Sequence, residues 1–236
     1  MKLFTAYIYD FLYNKIIIFV LIISITAMVS CKKEPPQIMQ EHTQLNLFKD
    51  TEKNLVYQKL TLFVLITDPN GLDDIDKIYF INDELNLFWE ADSHSLNKAL
   101  LNNQTWLGIN SISMNDYSLL PKGEYRFLVV NLGGEIAETI VPINYIDFKP
   151  ESIIFPSPVI TQESIDITGK QDDYLIWVYD MKGNFLETES FTGGKIYVNQ
   201  ILAKNQKLGS EFIFYIYSKD TTINMGIISG PFYYKR

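Results

Sequence analysis

From Leu55 to the C-terminus the chain repeats one unit: a short run of Val, Ile, Leu, Phe and Tyr with alternating polarity, then a polar turn. Successive strand side chains point to opposite faces, so such a run buries one face and wets the other. The longest run, Leu55 to Thr67, is closed by Asp68-Pro-Asn-Gly71, where Pro presets φ and Gly supplies a positive φ. Further strand-like runs cover 75–81, 85–89, 106–114, 125–131 and 136–143, and Leu132-Gly133-Gly134 between the last two marks a hairpin. After Tyr145-Ile-Asp-Phe-Lys-Pro150 a second set covers 152–155, 164–168, 174–179, 185–190, 195–198, 211–218, 223–228 and 232–235. Helical periodicity is confined to a weak pattern over 95–101 and a turn over 199–206. Short strands at about ten-residue spacing with so little helix predict antiparallel sandwiches.

The expected fold class is therefore all-β, with two small antiparallel β-sandwich domains over 43–147 and 148–236. An internal echo supports two related units. Tyr125, Val129, Asn131, Gly134, Glu138 and Thr139 align with Tyr174, Val178, Asp180, Gly183, Glu187 and Thr188 at a constant offset of 49. Any two hairpins share this grammar, so the echo by itself establishes two similar hairpins and no common origin. The phrases Ile66-Thr-Asp-Pro-Asn-Gly-Leu-Asp-Asp-Ile75 and Leu120-Pro-Lys-Gly-Glu-Tyr-Arg-Phe127 resemble immunoglobulin-like and fibronectin-like modules of envelope lipoproteins. The resemblance extends to lipoproteins of spirochaetes and Bacteroidetes. It implies fold and location and carries no catalytic residue.

Cys31 is the chain's one cysteine, so the fold cannot be stapled by an internal disulfide and must rest on its core. Ahead of it, Ile16 to Val29 is an apolar run shorter than the roughly 20 residues a membrane-spanning helix needs. Lys2 and Lys15 precede most of it, small residues end it, and Lys32-Lys-Glu-Pro-Pro36 follows at once. This is the layout of a removable export signal. The competing reading is an uncleaved anchor starting near Leu3, against which Asp10, Asn14 and Lys15 interrupt the apolar run. Met28-Val-Ser-Cys31 resembles the lipobox of bacterial lipoproteins, with Met28 departing from the commoner Leu. The resemblance implies cleavage after Ser30, a thioether-linked diacylglycerol on Cys31 and a third acyl chain, palmitate, on the new amino terminus. Each buried methylene is worth ~0.8 kcal/mol, so two or three chains hold a protein on a membrane where one does not. The expected organisation is a signal peptide over 1–30, a lipidated tether over 31–42, and the two sandwiches. The expected location is the bacterial cell envelope, anchored to the outer membrane and facing either the periplasm or the medium.

With 28 acidic against 20 basic residues the chain carries a formal net charge of −8, and loss of the leader makes it more acidic still. That balance excludes nucleic acid as a partner class, since no basic stripe is available to neutralise phosphates. His42 and His94 stand near no nucleophile motif, and no G-x-S-x-G, H-E-x-x-H or phosphate-binding loop occurs. The expectation is a protein that is not an enzyme, with an unrecognised hydrolase built on converging carboxylates as the remote alternative.

Two features carry candidate sites. Asp68, Asn70, Asp73, Asp74 and Asp76 cluster in one loop, a candidate weak Ca²⁺ site. Gly71 stands where no EF-hand places its glycine, and a solvated inter-strand turn is the competing reading. Trp106 and Trp89 are candidate stacking platforms for sugar rings, whereas Trp177 in Leu-Ile-Trp-Val-Tyr reads as buried. Core packing is the competing reading for all three. The expected role is non-catalytic binding, adhesion or assembly with an envelope protein, the alternative partner being a glycan.

Overall fold

The structure, a computed structural model, describes residues 34–204, 208 and 210–236. The leader, the lipobox and Cys31 lie outside the described residues. The fold is all-β, with fifteen strands in three sheets and one short α-helix, α1 (Val198–Lys204), among the described residues. Among the described residues no helix is long and apolar enough to cross a membrane.

One sheet dominates. It has eight strands in the order β12 (Phe185–Thr192), β11 (Asp173–Tyr179), β14 (Glu211–Asp220), β15 (Met225–Lys235), β1 (Gln37–Asp50), β2 (Leu55–Thr67), β6 (Gln104–Ile112) and β5 (Asn97–Leu101). Against the β1-β2-β6 half packs a four-stranded sheet of β4 (Leu87–Asp92), β3 (Ile75–Asn82), β7 (Gly123–Asn131) and β8 (Ile136–Ile143). Against the β11-β14-β15 half packs a three-stranded sheet of β13 (Lys195–Tyr197), β10 (Ser164–Thr168) and β9 (Ser157–Ile160), together with α1.

Each half has its own core because the alternation drives one set of side chains inward. Leu60, Leu62, Val64 and Ile66 of β2 meet Ile78, Phe80, Tyr125 and Phe127 across the first sandwich. Ile176 and Val178 meet Phe212, Phe214, Ile165 and Ile201 in the second. The halves share backbone: β1 and β15 pair in parallel from Asn46↔Gly226 to Asp50↔Gly230, whereas the other ladders among the described residues are antiparallel. Under this joint Leu47, Met225, Ile227 and Ile223 form a third cluster, roofed by Tyr145, Phe148, Ile153 and Phe155 of the connecting segment 144–156.

Four expectations change in detail. Residues 37–42, expected in the tether, form the first half of β1, paired with Thr67 to Phe63 of β2. Pro35-Pro36 ends just before it, so from Gln37 onward the main chain can donate again. Within the 95–101 segment, Asn97–Leu101 is strand β5, hairpinned to β6 through Asn102 (φ 51) and Asn103 (φ 61), a left-handed pair that Asn tolerates and two-residue hairpins need. Residues 150–152 form a 3-10 turn, and the strand expected at 152–155 is instead β9, at Ser157–Ile160. The last two runs fuse into β15.

Candidate functional site

The outer face of the eight-stranded sheet, away from all three clusters, is open and rich in rings. Alternation puts Trp177 and Tyr179 of β11, Tyr215 and Tyr217 of β14, Ile228 of β15, Phe48 of β1 and Tyr57 and Lys59 of β2 on this face. The registers set them side by side: Trp177↔Tyr215, Tyr217↔Ile228, Phe48↔Ile228 and Phe48↔Tyr57. The rings run in sequence across five strands and beyond. Tyr117 lies 5.4 Å from Tyr57, Tyr57 5.2 Å from Phe48, and Phe48 6.0 Å from Tyr215. Tyr215 then meets Tyr179 edge-on at 5.4 Å, and Tyr179 meets Phe185 at 5.5 Å. Beside this row Trp177 stacks on Tyr217 at 5.7 Å with 28° between planes.

Two glycines make the row possible. A Cβ at Gly226 would collide with the Asn46 side chain and the Tyr217 ring. One at Gly230, whose φ is 144°, would stand 2.6 Å from the Tyr215 ring. β15 thus leaves bare backbone at these two places, and rings from β14 lie over it.

The rings and the polar groups among them enclose a groove of about 470 Å³, within the range of small-ligand sites. Its polar lining is Asn46, Lys59, Thr61, Asn110 and Thr188, with no Asp or Glu. Gln44 Nε2 donates to Asn46 Oδ1 at 3.0 Å and to the Tyr217 hydroxyl at 3.1 Å, fixing both. Lys59 Nζ sits 5.6 Å from the Phe48 ring centroid, and burial pulls its pKa below the ordinary lysine value. Burial pushes the Tyr215 hydroxyl up to about 12, helped by neighbouring Tyr179, Tyr233, Glu52 and Asp50. Tyr179 and Tyr217 are likewise raised by burial, so these phenols keep their protons and remain donors at neutral pH.

The expected platform residues are elsewhere. Trp89 packs against the first core, 5.9 Å from Phe80, and its Nε1 donates to the Ser113 carbonyl at 3.0 Å. Trp106 is opposite Leu65 on the outer face but only 8% exposed, outside the groove, and its Nε1 has no hydrogen-bond partner. Trp177, read as buried, is the tryptophan that lines the groove. Its run alternates Leu175, Trp177, Tyr179 against Ile176, Val178. Both sets are apolar, so the pattern separates two faces without saying which is core.

The acidic loop holds itself together. Asp68 Oδ1 accepts the Asn70 N–H at 2.8 Å, Asn70 Nδ2 donates to Asp74 Oδ2 at 3.1 Å, and Lys98 Nζ reaches Asp73 at 3.4 Å. Asp76 lies in β3. Among the described residues no three acidic, histidine or cysteine side chains converge as metal ligands.

No protein-family model matches the chain, and no curated protein matches it. Among solved structures it is similar to Tp47, the 47-kilodalton lipoprotein of Treponema pallidum, at 10% identity and a TM-score of 0.39, over 85% of this chain and 52% of that one. Dimeric latent PorU from Porphyromonas gingivalis matches at 14% identity and a TM-score of 0.33, over 84% of this chain and 20% of that one. A 1.5-MDa bacterial ice-binding adhesin matches at 8% identity and a TM-score of 0.27, over 87% and 65%. The chain thus spans about half the length of the first of these and a fifth of the second. At such low TM-scores the likeness reaches no residue of the groove.

Proposed function

We propose that this chain is a non-catalytic, lipid-anchored binding protein of the bacterial envelope, and that it recognises a saccharide in the aromatic groove of its large sheet. The observation that carries the reading is the groove itself: a row of half-buried rings, interleaved with amides and hydroxyls, on a sheet face that no other layer covers among the described residues. Aromatic side chains present a flat apolar face with a polar rim and lose little freedom on binding, and sugars offer the matching combination of apolar C–H faces and hydroxyls. The floor of the groove consists of central strands whose backbone groups are spent in their own ladders. An extended peptide, which binds sheets by adding to a free edge, would find no main-chain partners there. The anchoring part of the reading rests on the lipobox resemblance at Cys31, and intact-mass measurement of the native protein checks it: acylated Cys31 with residues 1–30 gone.

For the binding part, the full chain in detergent is titrated with a broad panel of neutral and acidic oligosaccharides while tryptophan emission is followed. Trp177 reports on the groove, so the expected result is a saturable change that disappears in Trp177→Phe, with at least a tenfold loss of affinity in Trp177→Ala when binding is followed by calorimetry. Flat titrations across the panel end the reading.

A further inference from the structure

We propose that the saccharide held in this groove is an anionic one, with Lys59 as the counter-charge to its acid group. The inference rests on the saccharide reading above and adds the chemical class of the ligand.

The charge distribution around the groove supports it. The chain has 28 acidic residues, yet none lines the groove, and the one charged lining residue is Lys59. Eight other lysines and Arg126 are paired with carboxylates. Lys59, by contrast, has no carboxylate within salt-bridge distance among the described residues; its neighbours are the Phe48 ring and, across the ladder, Asn46. The acids at the ends of the groove are already engaged. Asp50 accepts the Glu52 and Lys53 N–H groups at 3.0 Å each and pairs with Lys53 Nζ at 3.6 Å. Glu52 accepts the Tyr233 hydroxyl. Asp180 accepts the N–H groups of Lys182 and Asn184 and the Asn184 side chain.

A half-buried ammonium without a carboxylate is a costly arrangement. Burial weakens its hold on its proton, as the lowered pKa of Lys59 records. An incoming anion reverses that cost, because a charge-assisted hydrogen bond in a partly dry site is stronger than one at an open surface. Asn46, Thr61 and Asn110 around it are neutral donors and acceptors suited to sugar hydroxyls. The net acidity of the rest of the molecule opposes anions at the open surface, while Lys59 offers one a partner inside the groove.

The test compares a tetragalacturonate with its fully methyl-esterified form, which keeps the sugar and removes the charge, on the full chain in detergent. The expected result is at least tenfold tighter binding of the acid, weakening as salt is raised. The preference vanishes in Lys59→Met and survives in Lys59→Arg, with both variants shown to unfold at or above the wild-type urea midpoint. A sulfated oligosaccharide forms a second arm: tighter binding than the uronate, with the same Lys59 dependence, keeps the inference and assigns the acid group as sulfate. Equal binding of acid and ester overturns the inference while leaving the saccharide reading intact. Binding of neither, with the sulfated arm also silent, sinks both. Poly-glutamate competing equally through Lys59 overturns the inference in favour of an acidic peptide.

Discussion

At the joint between the two sandwiches, adjacent residues of the same strands meet two different worlds. Leu47 and Ile227 face inward onto Phe148, Ile153 and Phe155 of the connecting segment and are 0% and 2% exposed. Phe48 and Ile228, one residue along, face the groove. The inner side is mostly aliphatic and dry, closed by a roof of chain. The outer side is aromatic, mixed with amides and one lysine, and no sheet or helix among the described residues is layered on it. Both faces are apolar by composition, so apolarity alone does not mark the core. What separates them is what lies over the strand pair: a roof of Tyr145, Phe148, Ile153 and Phe155 on the inside, and on the outside rings spaced by amides and one lysine.

The contrast breaks most readily at Leu47. Leu47→Ala removes a fully buried side chain beneath the strand pair that links both halves, and the expected loss is about 2–5 kcal/mol. Phe48→Ala, on the same strand, loses its ring contacts to Tyr57 and Tyr215 and should cost about 1–2 kcal/mol. Urea unfolding of the two variants checks the order. A Phe48 variant weaker than the Leu47 variant would mean that the groove face, and not the roofed face, holds the joint together.

The next largest effect concerns a buried charge on the inner side of the second half. Asp220 ends β14 with 6% of its side chain exposed, and Lys170 Nζ reaches its Oδ2 at 3.1 Å. Burial pushes the carboxyl up, but Lys170 together with the N–H and hydroxyl of Thr222 outweighs this and leaves its pKa below the usual 3.8. A carboxyl depressed in the fold stabilises above its unfolded pKa, and that contribution is lost as pH falls through the folded value. Lys170→Met should therefore cost about 1–2 kcal/mol at pH 7 and almost nothing near pH 2, the value being modest because Lys170 is itself nearly half exposed. Urea midpoints at the two pH values check it. A pH-independent loss would assign the effect to packing of the lysine stem.

How far the sequence reveals this contrast depends on which residues carry it. β2, β3, β7, β11 and β14 are legible because strict alternation against one core leaves little choice. β1 is not. Residues 37–43 are mostly polar and exposed, pair on one side only, and acquire their second neighbour, β15, from the far end of the chain. No local pattern encodes a parallel pairing between residues 46 and 226. The groove is hidden for the same reason, since its rings come from β1, β11, β12 and β14, with Lys59 and Thr61 from β2, and meet only once that joint forms. The tryptophans mislead because context around a single residue, a polar loop before Trp106 or an apolar run about Trp177, says nothing of which sheet lies behind it. A usable signal was present in the ring-rich face of Tyr215-Ile-Tyr217, set against Phe212, Phe214 and Ile216 on the other.

The smallest effect tests the outer face where the groove ends. Trp106 shares that face yet is buried, and its indole N–H is without an acceptor. A buried donor left unsatisfied costs about 1–3 kcal/mol, while trimming indole to phenyl gives up a comparable amount of packing. Trp106→Phe should therefore change stability by no more than about 1 kcal/mol, towards stabilisation, and leave saccharide affinity within twofold of wild type. Trp177→Phe, by contrast, trims an indole that lines the groove to a phenyl and should weaken binding. Calorimetric unfolding and calorimetric saccharide titration, run on both variants, separate the two residues. Loss of binding in Trp106→Phe would extend the recognition surface along β6 and erase the difference between a ring that covers the sheet and a ring that meets a ligand.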